Sequence, residues 1–278
     1  MKQYWRFYWP LALTGMGLVL SVQFQNAVLA RYPEAVKELA ILAIAYGIYG
    51  FFNASLGFVA QLTNVYARSR EARHRVHLFV ICASLLICLP LCGISITPIG
   101  QSLISQAFQI EVDFVQQVQD YLILLCPLVV LNAQRHFYTG LLVQAKLTGW
   151  ITLLNFIYLS IVILCLMLGF LQGLKPNHVV VGSELIGVSV LICGLLITKY
   201  RHYTLPEIQE HNKVTYQELT LFFIPVSTTG IMFALSRPIL YAFVSRTQDA
   251  ILTIAALRIA FDFTMLFQQA ANQFRHFF

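Results

Sequence analysis

The sequence predicts an all-α polytopic membrane protein with about eight transmembrane helices, and three observations predict it. The first is composition. With 58% hydrophobic and 11% charged residues and a mean hydropathy of +0.72, the 278-residue chain is far more apolar than a soluble domain, whose charged share is usually about 25%. The second is spacing: crossing the hydrocarbon takes about 20 apolar residues. Eight runs meet or nearly meet that length, at 8–30, 39–66, 76–98, 116–143, 149–172, 179–200, 218–244 and 250–278. The third is repetition. Pro10 to Arg31 returns 215 residues later as Pro225 to Arg246, with seven identities in 22 positions: the prolines, Thr14-Gly15 with Thr229-Gly230, Leu20-Ser21 with Leu235-Ser236, Ala27 with Ala242, and the arginines.

The first run is led by Tyr4, Trp5, Phe7, Tyr8 and Trp9, an aromatic cluster suited to the headgroup level, with Lys2 and Arg6 outside it. Pro10 follows as a helix-opening proline, where a missing N–H costs little. The run is too long, and lacks a cleavage site, for a signal peptide. Beyond the repeated stretch the second copy aligns through a loop two residues shorter, which pairs Leu39, Ile41 and Ala43 with Leu252, Ile254 and Ala256.

Loop charge alternates. Arg68, Arg70, Arg73 and Arg75 against Glu71 leave +3 after the second run, the next loop carries −2 from Glu111 and Asp113, and Arg135 and Lys146 make the following region basic again. Cytoplasmic loops collect Lys and Arg, which places the N-terminus, 67–75, 144–148 and 201–217 in the cytoplasm. The stretch from Arg201 to Tyr216 is the longest polar one and reads as a linker. It divides the chain into a six-helix lobe at 1–200, a cytoplasmic inter-lobe loop at 201–217, and two helices of an incomplete second lobe at 218–278. An even number of helices per lobe makes the repeats parallel, related by an axis along the membrane normal.

Several function classes drop out. The net charge of +6 lies in short loops, where it sets orientation and not nucleic-acid binding. Cys82, Cys88, Cys92, Cys126, Cys165 and Cys193 sit in apolar runs without a CxxC pair and read as buried packing residues, neither disulfides nor zinc ligands. The histidines (His74, His77, His136, His178, His202, His211, His276) nearly all lie in loops or at helix ends, so neither a metal nor a cofactor is expected. Without a phosphate-binding loop there is no ATP-driven step by that route. Gly15-Met16-Gly17 lacks the third glycine of a dinucleotide fingerprint, the Asn53-Ala54-Ser55 sequon lies mid-run, and no hydrolase motif appears, so the chain does not read as an enzyme.

The informative residues are polar groups that hydrocarbon rejects. Gln23, Gln25 and Asn26 fall late in the first run, and Asn53, Gln61 and Asn64 in the second, where positions 53, 57, 61 and 64 share a helical face that turns Gly57 and the amides toward one neighbour. Such amides serve either as interhelical hydrogen bonds of about 1 kcal/mol or as the lining of a cavity. Charges cost about 2.5–3.5 kcal/mol near a helix centre and need a partner or water. For Arg135 and Arg237 the functional use is attraction of an anion, and the structural use is an ion pair or snorkelling. Arg258 and Asp262, one turn apart, pair with each other; alternatively the carboxylate takes a coupling proton. Asp120 and Glu184 read as interfacial and solvated. The candidate cavity residues are therefore Gln23, Asn26, Asn53, Gln61, Arg135 and Arg237, with Arg258 and Asp262 as the ion-coupling or ion-pair candidates.

Three stretches carry a resemblance: FYWPLALTGMGLVLSVQFQNAVLARYPEA, CPLVVLNAQRHFYTGLLVQAKLTG and FFIPVSTTGIMFALSRPILYAFVSR. They resemble the multidrug/oligosaccharidyl-lipid/polysaccharide flippase superfamily, with its MATE-like fold, and within it bacterial relatives of the progressive ankylosis protein. The resemblance implies a two-lobe secondary transporter of alternating access, coupled to H+ or Na+, in a bacterial inner membrane, with the ankylosis-like branch linked to anions such as pyrophosphate or citrate. The expected partners are an anionic or amphipathic solute, the lipid bilayer and a coupling ion. The rival reading is a non-transporting scaffold or an inactive truncated fragment. The second copy stops at Phe277-Phe278, so the sequence expectation is a truncated chain whose last two helices expose Arg258 and Asp262 to lipid, or one that self-associates.

Overall fold

The computed structural model describes residues 17, 19–204 and 214–272. The aromatic cluster before Pro10, Gly15-Met16, most of the inter-lobe loop and the last residues lie outside them. Among the described residues the chain is helical with no strand: α1 (Val19–Leu29), α2 (Ala35–Ala54), a 3-10 turn (Ser55–Phe58), α3 (Val59–Tyr66), α4 (Arg70–Ile96), α5 (Pro98–Phe108), α6 (Val112–Gln144), α7 (Thr148–Leu171), α8 (Pro176–His202), α9 (Tyr216–Val244) and α10 (Ala250–Asn272). Among the described residues six spans, α2–α3 counted as one with α4, α6, α7, α8 and α9, are long and apolar enough to cross a membrane. This is an all-α polytopic membrane protein, and large side chains such as Leu86 and Leu89 on α4 and Phe233 on α9 face outward.

The centre is α6, buried from Phe114 to Leu142 and packed by α2, α3, α4 and α8, with α7 outside against α8. Without water to compete, helices associate through close packing, and small residues set the seams. A methyl group on Gly140 of α6 would sit 2.5 Å from the Ala60 carbonyl oxygen of α3, and one on Gly187 of α8 would sit 2.5 Å from Val162 of α7. The first pair of backbones is therefore as near as glycine allows, and at the second the valine side chain occupies the space a methyl group would need. Gly173, at φ 67°, ends α7 with Leu174 N–H on the Gly169 carbonyl at 3.1 Å and Gly173 N–H on Phe170 at 3.0 Å, the left-handed turn that lets α8 double back.

Three sequence expectations change. The loop after α4 is not loop throughout: Thr97 caps α5 by accepting from Gly100 N–H at 3.2 Å, with Pro98 in the first turn. Helix α9 begins at Tyr216 with a Thr215–Glu218 capping box, so Pro225 is interior, as in the run predicted at 218–244, and the hydrogen bond a backbone N–H would make there is missing. The second run breaks at the 3-10 turn, which takes Gly57 out of the face of Asn53 and Gln61; a side chain at Gly57 would meet nothing within 4 Å. Finally, Arg258 and Asp262 are not lipid-exposed but 4% and 5% accessible, because α10 lays that face against α2.

The repeat has a backbone counterpart. The five residues 30–34 between α1 and α2 match 245–249 between α9 and α10 hydrogen bond for hydrogen bond. Ala30, Arg31 and Tyr32 donate to Asn26, Val28 and Leu29, and Ser245, Arg246 and Thr247 donate to Tyr241, Phe243 and Val244, each 215 residues on. Glu38 on Glu34 and Thr253 on Asp249 continue the pattern, so the loops are equal in length and the two-residue gap inferred from sequence is absent.

Candidate functional site

Two clusters of polar side chains meet at α2. The first centres on Glu184, eight residues inside α8. Tyr46 of α2 donates its hydroxyl to Glu184 Oε2 at 2.6 Å, Gln25 of α1 also hydrogen-bonds the carboxylate, and Arg135 of α6 lies within electrostatic reach. One turn along α2, Tyr49 accepts from Asn132 Nδ2 of α6 at 2.7 Å, while Ser21 of α1 hydrogen-bonds Tyr158 of α7. Spacing explains the convergence: Tyr46 and Tyr49 are i,i+3, as are Asn132 and Arg135, so each helix turns one polar face toward the same point. Gln25 Oε1, Asn132 Oδ1 and Gln23 Nε2 are buried without a hydrogen-bond partner among the described residues.

The second cluster joins the repeated hairpins. Arg258 donates Nε to Asn26 Oδ1 at 2.9 Å and an Nη to the Leu42 carbonyl at 3.2 Å, and Asn26 Nδ2 donates to Asp262 Oδ2 at 3.0 Å. Asp262 faces Arg258 Nε at 3.6 Å and Arg237 of α9 at 3.5 Å. Tyr46 connects the clusters, with its hydroxyl on Glu184 and its ring 5.3 Å from the Arg258 guanidinium. The result is a track from Glu184 through Tyr46 and Arg258 to Asp262 and Arg237, in which three arginines face two carboxylates.

Of the sequence candidates, the structure gathers Asn26, Arg237, Arg258 and Asp262 into one cluster and puts Arg135 in the other. Gln23 and Asn53 are half-buried, and Asn53 Oδ1, like Gln23 Nε2, has no hydrogen-bond partner among the described residues. Gln61 is half-buried on α3, and neither Asn53 nor Gln61 hydrogen-bonds either cluster among the described residues. Glu184 is corrected: it is not solvated at a helix end but hydrogen-bonded inside the bundle, whereas Asp120 is exposed as expected. The signal was present, since an acid five residues into the apolar run at 179–200 carries the same cost that drew notice to Arg135. The tyrosines gave none, because Tyr46 and Tyr49 look like any apolar helix residues until their partners arrive.

The cysteines divide. Cys82 and Cys193 are exposed, not buried packing residues, but the Sγ atoms of Cys88 and Cys92 on α4 and Cys126 on α6 lie within 4.8 Å of one another.

Long apolar helices closed around a polar interior define a multi-pass membrane protein, and its backbone is similar in fold to a solved MATE transporter. The chain matches the crystal structure of the eukaryotic MATE transporter AtDTX14 with a TM-score of 0.70 at 13% identity, covering 95% of this chain and 60% of that one. A second solved chain, described only as protein A, gives the same figures. The chain thus spans 60% of the length of the solved structures it matches, and the likeness establishes the fold. No curated protein matches it significantly. The family model of the progressive ankylosis protein (ANKH) matches residues 1–264, and the chain belongs to that family.

Proposed function

We propose that this chain serves membrane transport of an anionic solute by alternating access, with residues 1–200 as one lobe, 218–278 as the start of a second and 201–217 as the cytoplasmic loop between them. The observation that carries the reading is the excess of guanidinium over carboxylate along the buried track. Desolvated positive charge is costly unless an anion or carboxylate answers it, and Arg135 and Arg237 are only partly covered, so both can receive a phosphate or carboxylate group. Arg258 is buried and held by Asn26, Leu42 and Asp262, which favours a structural use for that pair. Coupling to H+ or Na+ falls to Glu184, whose partners Tyr46 and Gln25 hold it toward Arg135.

The test is uptake of citrate and of pyrophosphate by the chain in proteoliposomes. Saturable uptake that falls at least about tenfold in both Arg135→Gln and Arg237→Gln is expected, the loss of one charge-assisted contact being about 1.5–3 kcal/mol. Uptake unaltered by both changes sinks the reading. Water-accessible cysteine labelling adds a check, since uniformly unreactive positions 23, 26, 53, 61 and 237 would leave no cavity and favour a scaffold. For orientation, a reporter at Arg70 should behave as cytoplasmic and one at Glu111 as external, as in a bacterial inner membrane with the N-terminus inside.

A further inference from the structure

Cys88 and Cys92 are one turn apart on α4, with their sulfurs at 3.6 Å. Cys126 reaches them from α6: Cys88 Sγ donates to the Cys126 carbonyl at 3.3 Å, and the three Sγ atoms lie within 4.8 Å of one another. Three sulfurs at thiolate–metal distance, about 2.3 Å from one ion, stand about 4 Å apart in a trigonal plane, so the separations present already suit an ion between them. The frame is stiff. Gln119 of α6 donates to the Ile94 carbonyl at 2.9 Å and to Thr97 at 3.3 Å, which clamps the end of α4 against α6 beside the cluster. Gly100 fits so tightly into the α4–α5 corner that a methyl group there would overlap the Ile94 carbonyl. The site is also reachable: Cys88 and Cys92 are only partly covered, and Cys92 is four residues from the end of α4, about 6 Å along the axis.

We propose that Cys88, Cys92 and Cys126 form a binding site for a soft divalent cation, cadmium(II) or zinc(II), at the α5 end of α4. Thiolates select soft metals over the hard cations that oxygen ligands hold. An apolar bundle tolerates a neutral complex best, which sets the stoichiometry of protons. Two S–H bonds break and two metal–thiolate bonds form. The third cysteine binds as a neutral thiol, two protons leave to water, and nothing is oxidised. Ser95 assists, because its hydroxyl lies 3.3 Å from Cys126 Sγ and rotates from the Leu91 carbonyl to donate to a thiolate there.

The experiment titrates cadmium into the detergent-purified full chain under a phosphine reductant, read by the ultraviolet thiolate-to-cadmium absorption and by bound metal per chain. One ion per chain is expected, retained in a Cys82→Ala/Cys165→Ala/Cys193→Ala variant and weakened at least about tenfold by Cys92→Ser and by Cys126→Ser. Size exclusion establishes that each variant is folded, and Cys88→Ser takes the place of one that is not. Three outcomes overturn the proposal: no saturable one-to-one binding, binding untouched by Cys92→Ser, or loss confined to the variant lacking the other three cysteines. A reductant-resistant Cys88–Cys92 disulfide, seen as a mass lower by two hydrogens, overturns it as well.

Discussion

The hairpin α1–α2 and its repeat α9–α10 share a turn but not a chemistry. Adding 215 carries Asn26 to Tyr241 and Gly47 to Asp262, so the contact between Asn26 and Asp262 becomes, with the hairpins exchanged, the contact between Tyr241 and Gly47. Both contacts exist. Asn26 reaches Asp262 at 3.0 Å, and the Tyr241 ring lies over Gly47, 3.5 Å from where a methyl group would be. Two positions related by one operation thus hold, on one side, an amide on a carboxylate, and on the other an aromatic ring on a glycine. What the comparison teaches is that the repeat preserves the hydrogen-bond register of the turn while each face is free to choose its own means of cohesion. Polarity is concentrated on one face, where Arg258 stands at the position of Ala43.

The largest break should come from Arg258→Ala, which leaves Asp262 buried with the Asn26 amide and the half-covered Arg237 as its remaining partners. A loss of about 3–5 kcal/mol is expected when one member of a buried pair is removed, seen as a steep fall in the unfolding midpoint in detergent. Tyr241→Ala opens a cavity over Gly47 and should cost about 3 kcal/mol, with Gly47→Ala nearly silent in the same assay because its new methyl group meets only ordinary contact. Asn26→Ala removes hydrogen bonds to two charged groups and should cost about 1.5–3 kcal/mol. The comparison sharpens further in the triple change Asn26→Tyr/Arg258→Ala/Asp262→Gly, which rewrites the polar contact as its aromatic counterpart. Its loss should be smaller than the sum of the three single losses by at least about 1 kcal/mol, and simple additivity would show that the two contacts are not equivalent. The smallest effect lies in the turns. Glu34 sits at φ 57° whereas Asp249 does not adopt a left-handed φ, so Glu34→Gly should stabilise by up to about 1 kcal/mol and Asp249→Gly should not.

Much of the fold was legible because apolar run length is a local property. The spans predicted at 76–98, 116–143 and 149–172 correspond to α4, α6 and α7, with α4 and α6 extended at their polar ends. Helix α5 escaped because eleven residues are too few to register as a span, although Thr97-Pro98 was a readable start. The gap placed in the second copy came from aligning similar aliphatic residues, which in a chain this apolar match almost anywhere; hydrogen-bond register distinguishes what side-chain type does not. In the site, charge drew attention to Arg135, Arg237, Arg258 and Asp262 because burial cost can be read from one residue at a time. Tyr46, Asn132 and Cys126 depend on which helices become neighbours, and nothing in a single run states that.

The paired contacts also carry a rule about symmetry. A contact that recurs when two halves are exchanged is the mark of an isologous interface, in which the same patch of each partner meets itself. Two identical halves meeting in this way would have to satisfy both contacts with one sequence, and a change at either position would be felt twice. On a single chain each contact varies alone, and a carboxylate stands opposite Asn26 without another standing opposite Tyr241.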